Sequence, residues 1–192
     1  MPNRIPINRL LLLTALSYGI YLYYWFYLTW KQYRDHTGHP AFPAWHALAI
    51  GVPVYGLYRV HGHMAAYNKL MLQSGAPVTI NPLFAVTLIL ISTLLSLAAA
   101  ILYLISIFQS GALSPSEPPG VEMILMKKGL DVLNIATAAA FLTYVQPKLN
   151  RYWESLPQAD LAKGTSWTAE MICVVIGILA WASAAVSVVV AS

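Results

Sequence analysis

Five apolar stretches, at residues 10–30, 44–58, 83–108, 130–146 and 171–190, alternate with short polar ones along this chain. A helix needs roughly 20 apolar residues to cross about 30 Å of hydrocarbon. Leu10–Trp30, Leu83–Phe108 and Met171–Val190 reach that length, and Leu83–Phe108 exceeds it enough to tilt or emerge at one end. Leu130–Gln146 is shorter, with Val121–Met126 available to extend its helix along the surface. Gln109–Gly120 (QSGALSPSEPPG) reads as a Ser/Pro/Gly connector that no helix continues through. Irregular strands are ruled out in lipid, where each unpaired backbone group costs several kcal/mol. The pattern predicts an all-α polytopic bundle, one membrane domain over residues 1–192, with four full spans plus the short segment Ala44–Tyr58.

That short segment carries the ambiguity. Fifteen helical residues reach about 22 Å. Gly51, Pro53 and Gly56 interrupt it, His46 lies near its start, and Arg59 follows it. Either it spans, with Arg59 snorkelling to the interface, or it turns back as a re-entrant hairpin covered by its neighbours. Lys and Arg concentrate on the inner side of membrane proteins, yet counting them gives a tie. Five spans with the N-terminus inside put Arg4, Arg9, Arg59, Lys69, Lys148, Arg151 and Lys163 inside, against Lys31, Arg34, Lys127 and Lys128. A re-entrant segment with the N-terminus outside exchanges Arg4 and Arg9 for Lys31 and Arg34, and the split is again seven to four. Arg9, abutting the first helix, tips the reading slightly toward five spans.

Eight of the thirteen residues from Tyr18 to Trp30 are aromatic. Tyr and Trp settle where hydrocarbon meets headgroups, so the first helix is heavily anchored at one end. Its apolar run continues past Leu10–Ala15 without a polar cleavage region, which favours a retained helix over a signal peptide. The chain is 58% hydrophobic and 9% charged, against about 25% charged for an ordinary soluble domain. Lipid is therefore the expected solvent for most of its surface. The net charge of +4 is spread over short loops without a basic run, which argues against nucleic acid as a partner. Cys173, the single cysteine, excludes an internal disulfide and reads as a packing residue. Arg59–Leu72 and Pro147–Leu156 each mix basic, aromatic and Asn residues, a composition suited to interfacial anchoring.

The run from Thr14 to Lys31, with Gly19-Ile-Tyr-Leu-Tyr-Tyr-Trp25 inside it, resembles a family of uncharacterised bacterial membrane domains. Their first helix ends in a similar Gly-x-Tyr-x-x-Tyr-Trp pattern followed by Lys or Arg. Gln146-Pro-Lys-Leu-Asn150 looks like a second shared stretch, with Pro147 departing from the pattern. The resemblance covers about the first 35 residues and implies a small protein of the bacterial inner membrane. The family brings no established activity, cofactor or site residues.

Histidine is the leading chemical candidate, since all five lie between residues 36 and 63. His36 and His39 form one pair, and His61 and His63 another. Neutral imidazoles bind zinc or copper, but the pairs share a metal only if Ala44–Tyr58 turns back. The blander expectation, interfacial hydrogen bonding, is preferred. A haem needs axial ligands at similar depth, and His46 is the only histidine within an apolar stretch. No cofactor is therefore expected. Asp131 and Asn134 share a helix face; Asp131 is expected to cap a helix at the interface beside Lys127 and Lys128. Ser92, Ser96 and Ala100, and likewise Gly177, Ala180 and Ala184, form small-residue stripes of the kind that let membrane helices approach closely. No nucleophile–base arrangement, Gly-rich phosphate loop or GxSxG is present. The expected role is a non-enzymatic accessory or scaffold subunit, docking in the bilayer against other membrane proteins or itself. The alternative is an oligomeric transporter or channel for a small solute, with Asp131, Asn134, Thr137 and His46 as its candidate polar residues.

Overall fold

The computed structural model describes residues 5–109, 121–156 and 167–191, and all regular structure among them is helical. Most of the connector expected at Gln109–Gly120 lies outside the described residues. In chain order the helices are α1 (Ile7–Leu16), α2 (Tyr21–Thr37), α3 (Pro43–Leu48), a 3-10 turn at Ala49–Gly51, α4 (Pro53–Gln73), α5 (Pro82–Gln109), α6 (Val121–Ser155) and α7 (Trp167–Ala191).

The three long helices make the frame. At 1.5 Å per residue, α5, α6 and α7 measure about 42, 52 and 37 Å. α5 and α6 run antiparallel: Phe84 meets Tyr144 edge-on at 4.6 Å, and further along Ser92 and Ser96 flank Asn134. α7 starts beside α1 and α2, where Glu170 meets Arg9 and Tyr21, and runs on past Trp181. Beyond the start of α5, the C-terminal third of α6 continues into a second region packed by α2 and α4. Pro147 does not end α6.

Two stretches among the described residues are long and apolar enough to cross a membrane, Pro82–Ser106 and Trp167–Val189. The hydrophobic pattern predicts four. The first discrepancy lies in residues 10–30, which are not one helix. α1 ends at Leu16 in a left-handed turn, with Tyr18 at φ 55° and Gly19 at φ 85°. Gly19 N–H reaches back to the Thr14 carbonyl at 2.8 Å and Tyr18 N–H to Ala15 at 3.3 Å, the paired bonds of a Schellman stop. The Ser17 hydroxyl then accepts from Tyr21 N–H at 2.9 Å, and α2 runs back the way α1 came. Gly adopts this backbone freely; Tyr18 does so at a cost of about 1–2 kcal/mol.

The second discrepancy concerns residues 130–146. They are the middle of one 35-residue helix that begins at Val121, so Asp131 lies well inside α6 and caps nothing. Residues 44–58 also turn back: α3 and α4 leave the 3-10 turn side by side, with His46 and Arg59 meeting over Trp30. The molecule is thus three long helices holding two short helical hairpins.

The core where the hairpins meet α6 is aromatic. Tyr21, Trp25, Phe26, Tyr67, Phe141 and Tyr152 are almost completely buried. Trp25 and Phe26 of α2 pack on Phe141 of α6 at 5.5 and 5.6 Å. Aromatic pairs at such separations add to the burial of their area. The Tyr/Trp-rich run that reads as an interfacial belt is in large part the core of the protein.

Candidate functional site

Both hairpin tips reach the α5–α6 seam and enclose a cavity of about 360 Å³. Gly19 and Ile20 line it from the first tip, Ile50 and Gly51 from the second, and Ser92, Ser96 and Asn134 from the long helices. That volume falls within the usual range for small-molecule pockets. No Asp, Glu, Lys, Arg or His lines it. Tyr23 sits at its edge with its hydroxyl over Gly51, where an added Cβ would come within 3.0 Å of it.

Polar groups beside the cavity bind one another. Asn134 accepts from the Ser92 hydroxyl and donates to Ser96 at 2.9 Å, tying α5 to α6. Asp131 accepts from the Tyr18 hydroxyl at 2.7 Å and pairs with Lys127 at 3.0 Å and Lys128 at 3.9 Å. Thr137 donates to its own helix, at Leu133, over 2.8 Å. Glu170, 3% exposed, joins α7 to the first hairpin by accepting from Arg9 and the Tyr21 hydroxyl. Deeper in the core, Trp25 N–H donates to Gln146 at 2.6 Å, and Gln146 donates to Asn150 at 2.7 Å. A buried polar group left without such a partner costs several kcal/mol in an apolar setting. These bonds therefore decide where the hairpins can dock.

The histidines do not converge. His36 packs against Tyr152 and Trp153, and its ring shares a hydrogen bond with the Tyr152 hydroxyl at 3.1 Å. His39 is exposed near Tyr33, and His61 is exposed on α4. His63 is fully buried between Phe26, Trp30 and Tyr67. Among the described residues no three His, Cys, Asp or Glu side chains are grouped closely enough to hold a metal ion. Turning Ala44–Tyr58 back is what a shared site required, yet His63 faces the core while His61, two positions earlier, faces out.

The His63 environment is of another kind. Trp30 lies between two imidazoles, His46 at 4.4 Å and His63 at 4.3 Å, with the Arg59 guanidinium 5.5 Å from the indole. Nε2 of His63 shares a hydrogen bond with the Thr29 hydroxyl at 2.9 Å, and that hydroxyl lies 3.0 Å from the Trp25 carbonyl. Burial holds the His63 pKa well below the ordinary histidine value, and the charges of His46 and Arg59 push the same way. His63 is a neutral core residue.

Of the small-residue stripes, Gly177 and Ala184 are buried and Ala180 is half-buried. A Cβ on Gly177 would stand 2.2 Å from Ser17 Cα, so α7 touches the α1–α2 turn backbone to backbone. Ser92 and Ser96 serve the Asn134 bonds, while Ala100 is exposed beside a smaller cavity at Asp131. Glu170, Arg9 and Tyr23 escape a search for motifs. A Glu just ahead of an apolar stretch is an unremarkable flank until its partner 161 residues away is known. Compared with family models, with curated proteins and with solved structures, the chain matches none.

Proposed function

We propose that this chain is an integral membrane protein of the bacterial inner-membrane type, working as a non-enzymatic accessory or scaffold subunit that docks laterally against other membrane proteins or itself. In this reading α5 and α7 cross the bilayer, α6 crosses between them, and both hairpins enter from one side and turn back partway. The observation that carries it is the exposure of the two apolar helices. Only 11% of the residues in the most apolar stretch of each are fully buried within the chain, so each keeps a broad outer face, with Leu90 and Leu94 on α5 and Ile172 and Leu179 on α7, for lipid or for another protein. The α3–α4 hairpin likewise presents Phe42, Trp45, Val54 and Tyr58 outward, and patches of this kind mark membrane or protein contact.

Charge supports the same topology. Among the described Lys and Arg residues, five spans give a split of five to four, and a re-entrant Ala44–Tyr58 alone gives six to three. With both hairpins turning back, Arg9, Lys31, Arg34, Arg59, Lys69, Lys148 and Arg151 share one side, against Lys127 and Lys128. Seven to two is the asymmetry expected of an inner side. A docking role fits a chain in which Asp131, Asn134 and Thr137, the polar candidates on α6, are taken up within the chain itself. Lateral crosslinking in native membranes, followed by purification in mild detergent, tests it. A defined complex or homo-oligomer is expected; a monodisperse monomer without crosslinked neighbours would reject it.

One observation favours a second reading. Carriers with broken helices place their substrate site where the breaks meet, and here two helical turns face one cavity. An oligomeric transporter or channel for a small uncharged solute would use it. Reconstituted solute flux abolished by filling the cavity would establish this reading over the scaffold.

A further inference from the structure

The cavity between the hairpin tips has a chemistry of its own. Its walls are mainly aliphatic, from Ile20, Ile50, Ile89 and Ile135, and they carry no ionised side chain. An anionic or cationic ligand would enter without a counter-charge, at the cost of desolvation. Two hydrogen-bond donors remain. The Ser96 hydroxyl accepts from Asn134 and its own hydrogen has no acceptor among the described residues; the Tyr23 hydroxyl likewise has no recorded partner there. Tyr23, Pro53 and Leu97 are exposed and form the mouth, with Leu97 at 53%. That mouth lies beside the outward apolar face of α5, where Leu90 and Leu94 are exposed. Access is thus from the surface that the membrane reading gives to lipid.

We propose that this cavity is a binding site for an uncharged glycerolipid, whose ester carbonyl accepts from Ser96 and Tyr23 while part of an acyl chain lies along the isoleucine walls. The site rests on the membrane reading above. A lipid seated between the two turns would brace them against α5, where the chain itself leaves space.

The test uses full-length protein in phosphatidylcholine vesicles carrying a trace of diazirine-tagged diacylglycerol, or, in a parallel arm, diazirine-tagged phosphatidylglycerol. Flotation is read first. Protein that does not float with the vesicles overturns the membrane reading and this site with it. For protein that floats, peptide mapping is expected to find the neutral probe on residues 89–97 and 49–53, displaced by unlabelled diacylglycerol. Thr93→Phe should fill the cavity and abolish that labelling. The double variant Tyr23→Phe with Ser96→Ala, which leaves the space open, should weaken it about tenfold, the equivalent of two ordinary hydrogen bonds. Labelling spread evenly over the outer faces of α5 and α7 and indifferent to both variants would overturn the site. Stronger labelling by the anionic probe would overturn the assignment to an uncharged lipid.

Discussion

Tyr18 donates its hydroxyl hydrogen to Asp131 at 2.7 Å, across 113 residues of sequence. The bond pins the tip of the α1–α2 hairpin to α6 and sets how far the hairpin reaches. It also accounts for a large aromatic residue in left-handed backbone, since Tyr18 in addition packs edge-on against Trp181 at 4.7 Å.

Removing either end of that bond should loosen the tip. Hydrogen bonds to charged groups contribute about 1.5–3 kcal/mol, so we expect Tyr18→Phe to destabilise the protein within that range and Asp131→Ala by more, since it also leaves Lys127 and Lys128 without their partner. Equilibrium unfolding in mixed detergent measures it. The double variant should cost less than the sum of the two, because both remove one interaction. Full additivity would mean that the two side chains act independently.

Gly177 gives a steric test. A methyl group there would overlap the α1–α2 turn, at 2.2 Å from Ser17 Cα and 2.3 Å from the Leu16 carbonyl oxygen. Backbone atoms yield less readily than side-chain ends, so Gly177→Ala should destabilise by about 1–3 kcal/mol or more. Gly62 is the control, since nothing lies within 4 Å of the same methyl on α4. Gly62→Ala should leave stability unchanged or raise it by about 0.4–1 kcal/mol.

How much of this was legible in the sequence depended on which residues do the work. Helical class and the near-complete extents of α5 and α7 follow from long apolar runs. The turn at Ala44–Tyr58 was legible as an alternative, because Gly51, Pro53 and Gly56 weaken a short helix. The turn at Ser17–Ile20 was not, because Tyr18 is no turn signal and a half-length hairpin of two apolar helices has the same hydropathy as one span. Gly19 is an isolated glycine in the sequence, and the partners that hold Tyr18 in left-handed backbone, Asp131 and Trp181, are brought near only by the folded chain. The same long-range dependence hid Glu170 with Arg9, and it separated His61 from His63. Hydropathy reports depth in lipid poorly when aromatic residues can be core or belt.

Buried His63 makes stability depend on pH. Its folded pKa is depressed and the unfolded value is about 6.5. As pH falls through 6.5 the unfolded chain takes up a proton that the folded chain refuses. Stability is therefore full above that pH and is lost below it, approaching about 1.4 kcal/mol per pH unit until the folded pKa is reached. Melting temperature measured in detergent from pH 8 to pH 5 should fall, and His63→Leu should flatten much of that slope. An unchanged slope in the variant would assign it to other groups.

The central claim is that residues 44–58 turn back rather than span, and cysteine accessibility in sealed inverted and right-side-out vesicles tests it most directly. In a Cys173→Ala background, single cysteines replace Gly38 after α2, Gly75 after α4 and Glu122 at the start of α6, all three exposed. Gly38→Cys and Gly75→Cys should react with an impermeant maleimide from the same side, and Glu122→Cys from the opposite side. Reaction of Gly38→Cys and Gly75→Cys from opposite sides would mean that the segment between them spans, and would contradict the account.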